Sequence, residues 1–399
     1  MDLDFKNFKK STVIIWSSSF LPNIGGLESV VAEYANFFSL KNKVIIISNR
    51  YPRNLKKKDF HNNILVKRYN FFHSPLNYIK NFRIDLLCSW LFFKVLTILK
   101  LFDLFIKNKP NTVNVHFPDN QIFEILFLKL FFKFDIIINL HGNEVERIKY
   151  LKKYSLRYYF YNRLFKESKH IIACSNSLIS EAKAIFPKIN GNKWKVIYNG
   201  VNTIFLSEKL NISKSDYIFS AMRFVPKKGL DLMVKSLSLV KLKNNIIIAG
   251  GDKNAAKKLL GSMITNLSVN FSGKLKPKSI LAYLKDTRLT IIPSREEPYG
   301  IFLAEAICCG SPIVVTNVGG IPEVISLAKT NLSNEQKRIF DNFVKVVPPN
   351  IHSISKSIKL ILENKRENDD YIKLIPIIRK NFEWKIILSK FYNLIRVSI

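Results

Sequence analysis

The chain has 399 residues, more than one hydrophobic core usually organises, and its 47% hydrophobic content is that of a folded protein, so two domains are expected. Lys and Arg total 63 against 30 Asp and Glu, a net charge of +33 at pH 7 that attracts nucleic acid, anionic membranes or polyanionic ligands; the basic residues are spread along the chain, as in "RNLKKKDF" and "FPKINGNKWK", which excludes a single basic tail. The four cysteines, Cys88, Cys174, Cys308 and Cys309, form neither a CxxC pair nor a disulfide-like framework and fit a reducing compartment.

In chain order, the N-terminus "MDLDFKNFKK" is mixed in charge and runs into "STVIIWSSS", too short and polar for a signal peptide, so a cytoplasmic protein is expected. The apolar runs "TVIIW", "KVIIIS", "TVNVHF", "FDIIINL", "HIIACS" and "WKVIY" read as buried parallel strands of the first half. A helix-length segment, Glu28 to Leu40, lies between the first two. The most apolar stretch, Ile84 to Ile106, is broken by Asp85, Lys94, Lys100 and Asp103, which makes it a poor membrane-spanning helix. After "VIYNGVN", whose Asn199-Gly200 is a turn signal, the polar "SEKLNISKSD" reads as a linker. The second half repeats the rhythm with "DYIFSA", "NNIIIAG", "SVNFSG", "RLTIIP" and "PIVVT", and a helical segment Lys228 to Lys241. "FVKVVPP" is the final strand candidate, and a last helical stretch, roughly Ile377 to Arg396, is expected to start after Pro376. This alternation implies βαβ units and an α/β protein of two doubly wound domains.

Open α/β sheets collect ligands beyond the carboxyl ends of their strands, so the residues after each apolar run carry the functional reading. After the first strand, Gly25-Gly26 leads into a helix and allows close approach to backbone amides, although the pair also fits a bare turn. It is not GxGxxG, which disfavours a dinucleotide site. His141 follows "FDIIINL" directly, placed to hydrogen-bond a ligand or move a proton, or to serve the structure. His61, His73, His116, His170 and His352 share no metal-like spacing with it, so no zinc site is expected.

In the second half, Arg223 follows a strand and Lys228 precedes Gly229 and a helix; two cations at a helix start suit a diphosphate. Gly250, Gly251, Gly273 and Lys274 end the next strands, where a nucleotide could lie against backbone. After "RLTIIP", Pro298 and Gly300 keep "EEPYG" out of regular helix, and a helix is expected to begin near Ile301 or Phe302. That puts the amides of Tyr299 to Phe302 at a helix start, with Glu305 on its first turn. Glu297 and Glu305 could be a catalytic acid and base, but carboxylates also accept paired hydrogen bonds from vicinal hydroxyls, which suits a sugar or ribose.

With Gly25-Gly26, His141, "SNS" at 175 to 177, "VIYNGVN", "RFVPKKG" and "EEPYGIFLAEAICCGSPIVVTNVGGIPEVI" in order, nearly the whole chain resembles the family 4 (group 1) retaining glycosyltransferases of glycosyltransferase-B fold. The resemblance implies two Rossmann-like domains facing a cleft: an acceptor domain over 1–203, a nucleotide-sugar donor domain over 204–372, and a C-terminal helix in 373–399 crossing back to the first domain. It implies that Arg223 and Lys228 hold the donor diphosphate, that Glu305 takes the ribose hydroxyls, and that Glu297 holds the transferred sugar together with amides of Tyr299, Gly300 and Ile301. Gly25-Gly26 would admit the donor phosphates, Gly273 and Lys274 would border the donor, and His141 would contact the sugar near the reacting carbon. His141, Arg223, Lys228 and Glu297 form the implied catalytic set. The donor would be UDP- or GDP-linked, with no metal and no other cofactor; Asp2-Leu3-Asp4, the DxD in reach, precedes the first strand. The reaction would retain anomeric configuration in cell-surface polysaccharide or glycolipid synthesis. Two departures stand out: Pro298 occupies a place where glycine often follows the first glutamate, and 326–343 is longer than the short turn usual there.

Two rivals remain in view. A two-carboxylate glycoside hydrolase would need acids about 5 to 9.5 Å apart but no Arg223/Lys228 pair. A basic nucleic-acid-binding protein would use the charge, but no helix-turn-helix, RRM or zinc pattern accompanies it, and no nucleic-acid partner is expected. Ile84 to Lys107 and "IFEILFLKLFFKF" at 122 to 134 are either buried crossover helices or, with neighbouring lysines, a surface for an anionic membrane carrying a glycan or lipid-linked acceptor. The second reading places the protein at the inner face of the plasma membrane.

Overall fold

The structure, a computed structural model, describes residues 11–23, 25–71, 75, 79, 81–210, 215–240, 244–261, 269–363 and 369–396. His73 and Asp2-Leu3-Asp4 lie outside them. The chain divides into two compact units: Met1–Cys174 with Leu178–Ile197, and Ser175–Ser177 with Tyr198–Ile399.

The first unit is built on an eight-stranded sheet of β1 (Thr12–Ser17), β2 (Lys43–Asn49), β3 (Lys58–His61), β4 (Ile64–Tyr69), β5 (Thr112–His116), β6 (Asp135–Leu140), β7 (His170–Ala173) and β8 (Trp194–Val196), in the order β3-β4-β2-β1-β5-β6-β7-β8. Every pairing is parallel except β3 with β4. The β-branched runs of β1 and β6 are buried almost throughout because helices cover both faces of a parallel sheet. β3 and β4 carry no such run and escaped the sequence reading: "ILVKRY" alternates buried and half-buried residues, as a strand covered on one face does.

The second unit holds a six-stranded, fully parallel sheet of β9 (Ser215–Ala221), β10 (Asn245–Ala249), β11 (Val269–Phe271), β12 (Thr287–Ile292), β13 (Ile313–Thr316) and β14 (Val344–Val347), in the order β11-β10-β9-β12-β13-β14. Its core joins Ile218, Ile248, Leu289 and Ile291 of the strands to Leu230, Met233 and Leu237 of the helix Leu230–Ser238 and to Ile354 and Ile358 of the helix Ile351–Glu363. In the second sheet the strand order runs outward in both directions from β9/β12, and in the first it does so from β1/β5 except that β4 lies between β2 and the edge strand β3. The crevice beyond the carboxyl ends of such a pair is where this architecture binds ligands.

Contrary to the expectation from sequence, Pro376 does not precede the last helix but sits inside the helix Asp369–Asn381, and the break falls later, before a separate helix Trp384–Arg396. Proline removes one intrahelical donor, a loss that the packing of Tyr371, Leu374, Ile375 and Ile378 outweighs here. The long 326–343 stretch forms the helix Asn334–Phe343, started by a capping box between Ser333 and Gln336, and its Phe343 stacks on Tyr371 at 4.9 Å.

Candidate functional site

In the second unit, the loops that follow β9 and β12 are laced together. The Arg295 amide donates to the Lys227 carbonyl at 2.8 Å, and the Arg295 guanidinium pairs with both carboxylate oxygens of Asp231 at 2.7 Å. This fork holds the Asp231 carboxyl below the usual carboxylate range. The lacing sets Lys228 against the loop that carries Glu297: Lys228 Nζ lies 2.5 Å from Glu297 Oε2, both side chains are 15% exposed, and Ser294 Oγ donates to the same oxygen at 3.2 Å. Arg223, two residues beyond β9, is exposed.

The backbone around Glu297 is fixed from the other side. The Gly320 amide donates to the Glu297 carbonyl at 2.8 Å, and a Cβ at Gly319, where φ is +52°, would stand 2.1 Å from that oxygen. Pro298 offers its carbonyl to Ser175 Oγ at 2.6 Å. Gly300, with φ at +109°, turns the chain into the helix Ile301–Cys308 in a conformation that side chains rarely tolerate. No side chain caps this helix, so the amides of the part-exposed Ile301 and Phe302 have no partner within it, as suits an anion or a hydroxyl. Tyr299 is buried, its hydroxyl donating to the Asn199 carbonyl at 2.8 Å, so its side chain braces the turn rather than facing a ligand.

Because the helix begins at Ile301, Glu305 is its fifth residue and stands on the second turn, not the first. Burial pushes its carboxyl up to about 8. Gly273 and Lys274 lie just beyond β11, where the Gly273 carbonyl accepts from the Gly250 amide at 2.6 Å and Lys274 is exposed. The "SNS" segment clusters with this unit: the amides of Asn176 and Ser177 donate to the Glu323 carboxylate at 2.8 and 3.1 Å, as does Asn176 Nδ2 at 2.8 Å. Glu323, the glutamate of "GGIPEVI", is therefore an anchor for "SNS", a role its sequence position did not reveal.

In the first unit, Gly25 precedes the helix Gly26–Ser39 in an extended conformation, and the Glu28 carboxylate fills the space where a Cβ at Gly25 would stand. His141, after β6, is paired: its Nε2 lies 3.1 Å from Nδ1 of His116 at the end of β5, the rings meeting edge to edge with centroids 5.3 Å apart and planes within 26°. Glu144, fully buried, accepts a hydrogen bond from the His141 amide. Burial holds His141 down at about 4 and His116 well below the ordinary range, while it lifts Glu144 to about 7. Both imidazoles are neutral at pH 7 and work through hydrogen bonds, not charge. The sequence reading singled out His141 but weighed His116 for metal spacing alone; the strand-end rule applied to "TVNVH" would have found both. Among the described residues, no group of three or more His, Cys, Asp or Glu is placed to hold a metal ion.

The helix Ile84–Asn108 buries one face through Thr97, Leu101, Leu104 and Phe105, and within it Lys94 forms a buried ion pair with Glu124 of the helix Ile122–Phe131. Its other face is open: Ile84, Leu91, Phe92, Val95, Leu99 and Ile106 are all exposed, as are Leu130 and Phe131 of the neighbouring helix. The expectation of burial therefore holds for one face of this helix, and the other face is an exposed apolar surface. No helix among the described residues is long and apolar enough to cross a membrane.

Comparison with known proteins matches residues 24–205 to the family model described as Glycosyltransferase Family 4 and residues 202–375 to that described as Glycosyl transferases group 1. An uncharacterized glycosyltransferase of Methanocaldococcus jannaschii is 26% identical over 94% of this chain and 96% of its own length. A second from the same organism is 27% identical over 50% of this chain, an alignment that spans only 56% of that relative. Among solved structures, Anabaena HepE in complex with UDP-glucose superposes with a TM-score of 0.68 at 15% identity, covering 97% of this chain and 99% of that one. The fold is glycosyltransferase-B.

Proposed function

The chain belongs to the group 1, family 4 glycosyltransferases, and from that premise we propose that it moves a sugar from a nucleotide-diphosphate donor to a glycan or lipid-linked acceptor with retention of anomeric configuration. The Lys228–Glu297 pair beside the uncapped start of Ile301–Cys308 carries this reading. A diphosphate leaving group gathers negative charge as its bond to the sugar breaks; Lys228, held by Glu297, and the amides after Gly300 are fixed in advance of that charge, and the exposed Arg223 adds a second cation. Glu297, held by Lys228 and Ser294, has its other carboxylate oxygen for sugar hydroxyls, and Glu305 takes the ribose. His141 on the first unit contacts the transferred sugar. As the acceptor oxygen bonds to the anomeric carbon and the carbon–phosphate oxygen bond breaks, the acceptor proton passes to the departing phosphate.

Ligand-observed NMR with a panel of UDP- and GDP-sugars tests the reading: one class should bind, and Arg223→Ala should weaken it about tenfold or more. Absence of binding to every member, or binding indifferent to Arg223→Ala, would overturn it.

The exposed apolar face of Ile84–Asn108 favours a second element: the protein rests peripherally on an anionic membrane, where a lipid-linked acceptor lies, with the excess of 33 positive charges supplying the long-range attraction. This location would serve polysaccharide or glycolipid synthesis at the inner face of the plasma membrane.

A further inference from the structure

We propose that His116 fixes the tautomer of His141, so that His141 presents its Nδ1–H as a neutral hydrogen-bond donor. His116 is a positioning residue, and the role given to the donated hydrogen bond rests on the reading of His141 as the sugar contact.

His116 Nδ1 and His141 Nε2 are 3.1 Å apart. Two neutral imidazoles at that distance must share one proton, and there are two ways to do so. In the first, His141 Nε2–H donates to His116 Nδ1. The His116 proton then sits on Nε2, an atom that is buried and has no hydrogen-bond partner. In the second, His116 Nδ1–H donates to His141 Nε2, and only a lone pair is left at the buried His116 Nε2.

A buried N–H without an acceptor is the rarer and costlier of the two defects. The second arrangement is therefore the stable one. It places the His141 proton on Nδ1, the ring nitrogen not engaged by His116.

The surroundings hold the pair in place. His116 is wholly buried, with the Tyr34 ring nearly perpendicular to it and the centroids 4.8 Å apart. Glu144 fixes the His141 amide, and Gly142, with φ at +116°, turns the chain into the helix Asn143–Lys149. Among the described residues, the titratable groups near the pair include Tyr34, with Cys174 acting on it, and Glu144, with Arg147 acting on it. Burial keeps both imidazoles uncharged across the neutral range, so His141 does not serve as a proton acceptor that charges during turnover. A hydroxyl oxygen of a ligand would accept its hydrogen bond.

The direct test is long-range proton–nitrogen NMR on the wild-type protein labelled with nitrogen-15 histidine, assigned with His116→Asn. At pH 7 both His116 and His141 should show the neutral Nδ1–H pattern; a His116 signal protonated at Nε2 would overturn the proposal. The second arm compares His116→Asn, whose amide nitrogen stands where Nδ1 stood, with His116→Leu. Leucine should lower the turnover number about ten- to a hundredfold with little change in the donor KM, and asparagine should restore most of it. Equal losses in both variants, at equal melting temperature, would reduce His116 to packing and overturn its positioning role. If the wild type turns over no nucleotide sugar at all, the transferase reading fails, whereas the NMR arm still decides the tautomer.

Discussion

Lys228 Nζ and Glu297 Oε2 lie 2.5 Å apart although the residues are 69 positions apart in sequence, and they come from the two loops that flank the β9/β12 switch of the second sheet. The pair presents a cation and a half-satisfied carboxylate side by side, the two chemistries that a sugar diphosphate needs.

Lys228→Met should weaken binding of the cognate nucleotide sugar about ten- to a hundredfold and lower the melting temperature moderately. With both side chains 15% exposed, the change leaves the Glu297 carboxylate without its cation, at a cost of about 1 to 3 kcal/mol, and it also removes a charge-assisted bond to phosphate. Titration calorimetry with thermal melts on the same samples checks both. A large loss of stability with unchanged binding would contradict the assignment.

Glu305→Gln should separate stability from binding by pH. Its folded-state pKa is raised from 4.5 to about 8, so the ionised carboxylate works against the folded state as pH rises through that window. The variant should match the wild type near pH 4 and exceed it by about 1 to 3 kcal/mol at pH 9, less than the full shift because the carboxyl is half-buried. Denaturant melts at both pH values measure the difference, and nucleotide-sugar binding should fall at every pH.

Gly300→Ala should cost about 1 to 3 kcal/mol, because a Cβ at φ +109° is strained and would stand 2.8 Å from Ile321 Cδ1. The same change tilts the amides of Ile301 and Phe302, so donor affinity should fall further than in a stability-matched core variant such as Ile354→Val. Comparison of the two by calorimetry distinguishes a site effect from general loosening.

Vesicles containing phosphatidylglycerol should bind the protein at low salt and release it as salt rises. Phe92→Asp and Leu99→Asp, on the open face of Ile84–Asn108, should each reduce binding about tenfold or more without altering the melt. Sedimentation with vesicles is sufficient, and binding insensitive to both substitutions would remove this face from the account.

The strand ends were legible in the sequence because parallel strands buried on both faces must be continuous apolar runs, and ligand-facing residues follow such runs directly. That logic singled out Arg223, Lys228, His141 and the turn at Gly300 as candidates. It missed β3 and β4, which alternate at one covered face, and it set a helix start at Pro376, because proline is a strong local signal that tertiary packing overrode there.

The sequence by itself determined the two α/β units, the order of their strands along the chain and the residue types available at each strand end, since these depend on local periodicity and composition. Only the tertiary structure decided which of those residues meet. Sheet order brought Lys228 to Glu297 and His116 to His141, and packing of the 175–177 segment into the second unit brought Asn176 to Glu323. Burial then set the protonation of His141, Glu144 and Glu305, because desolvation depends on what surrounds a group in space and not on its neighbours in the chain.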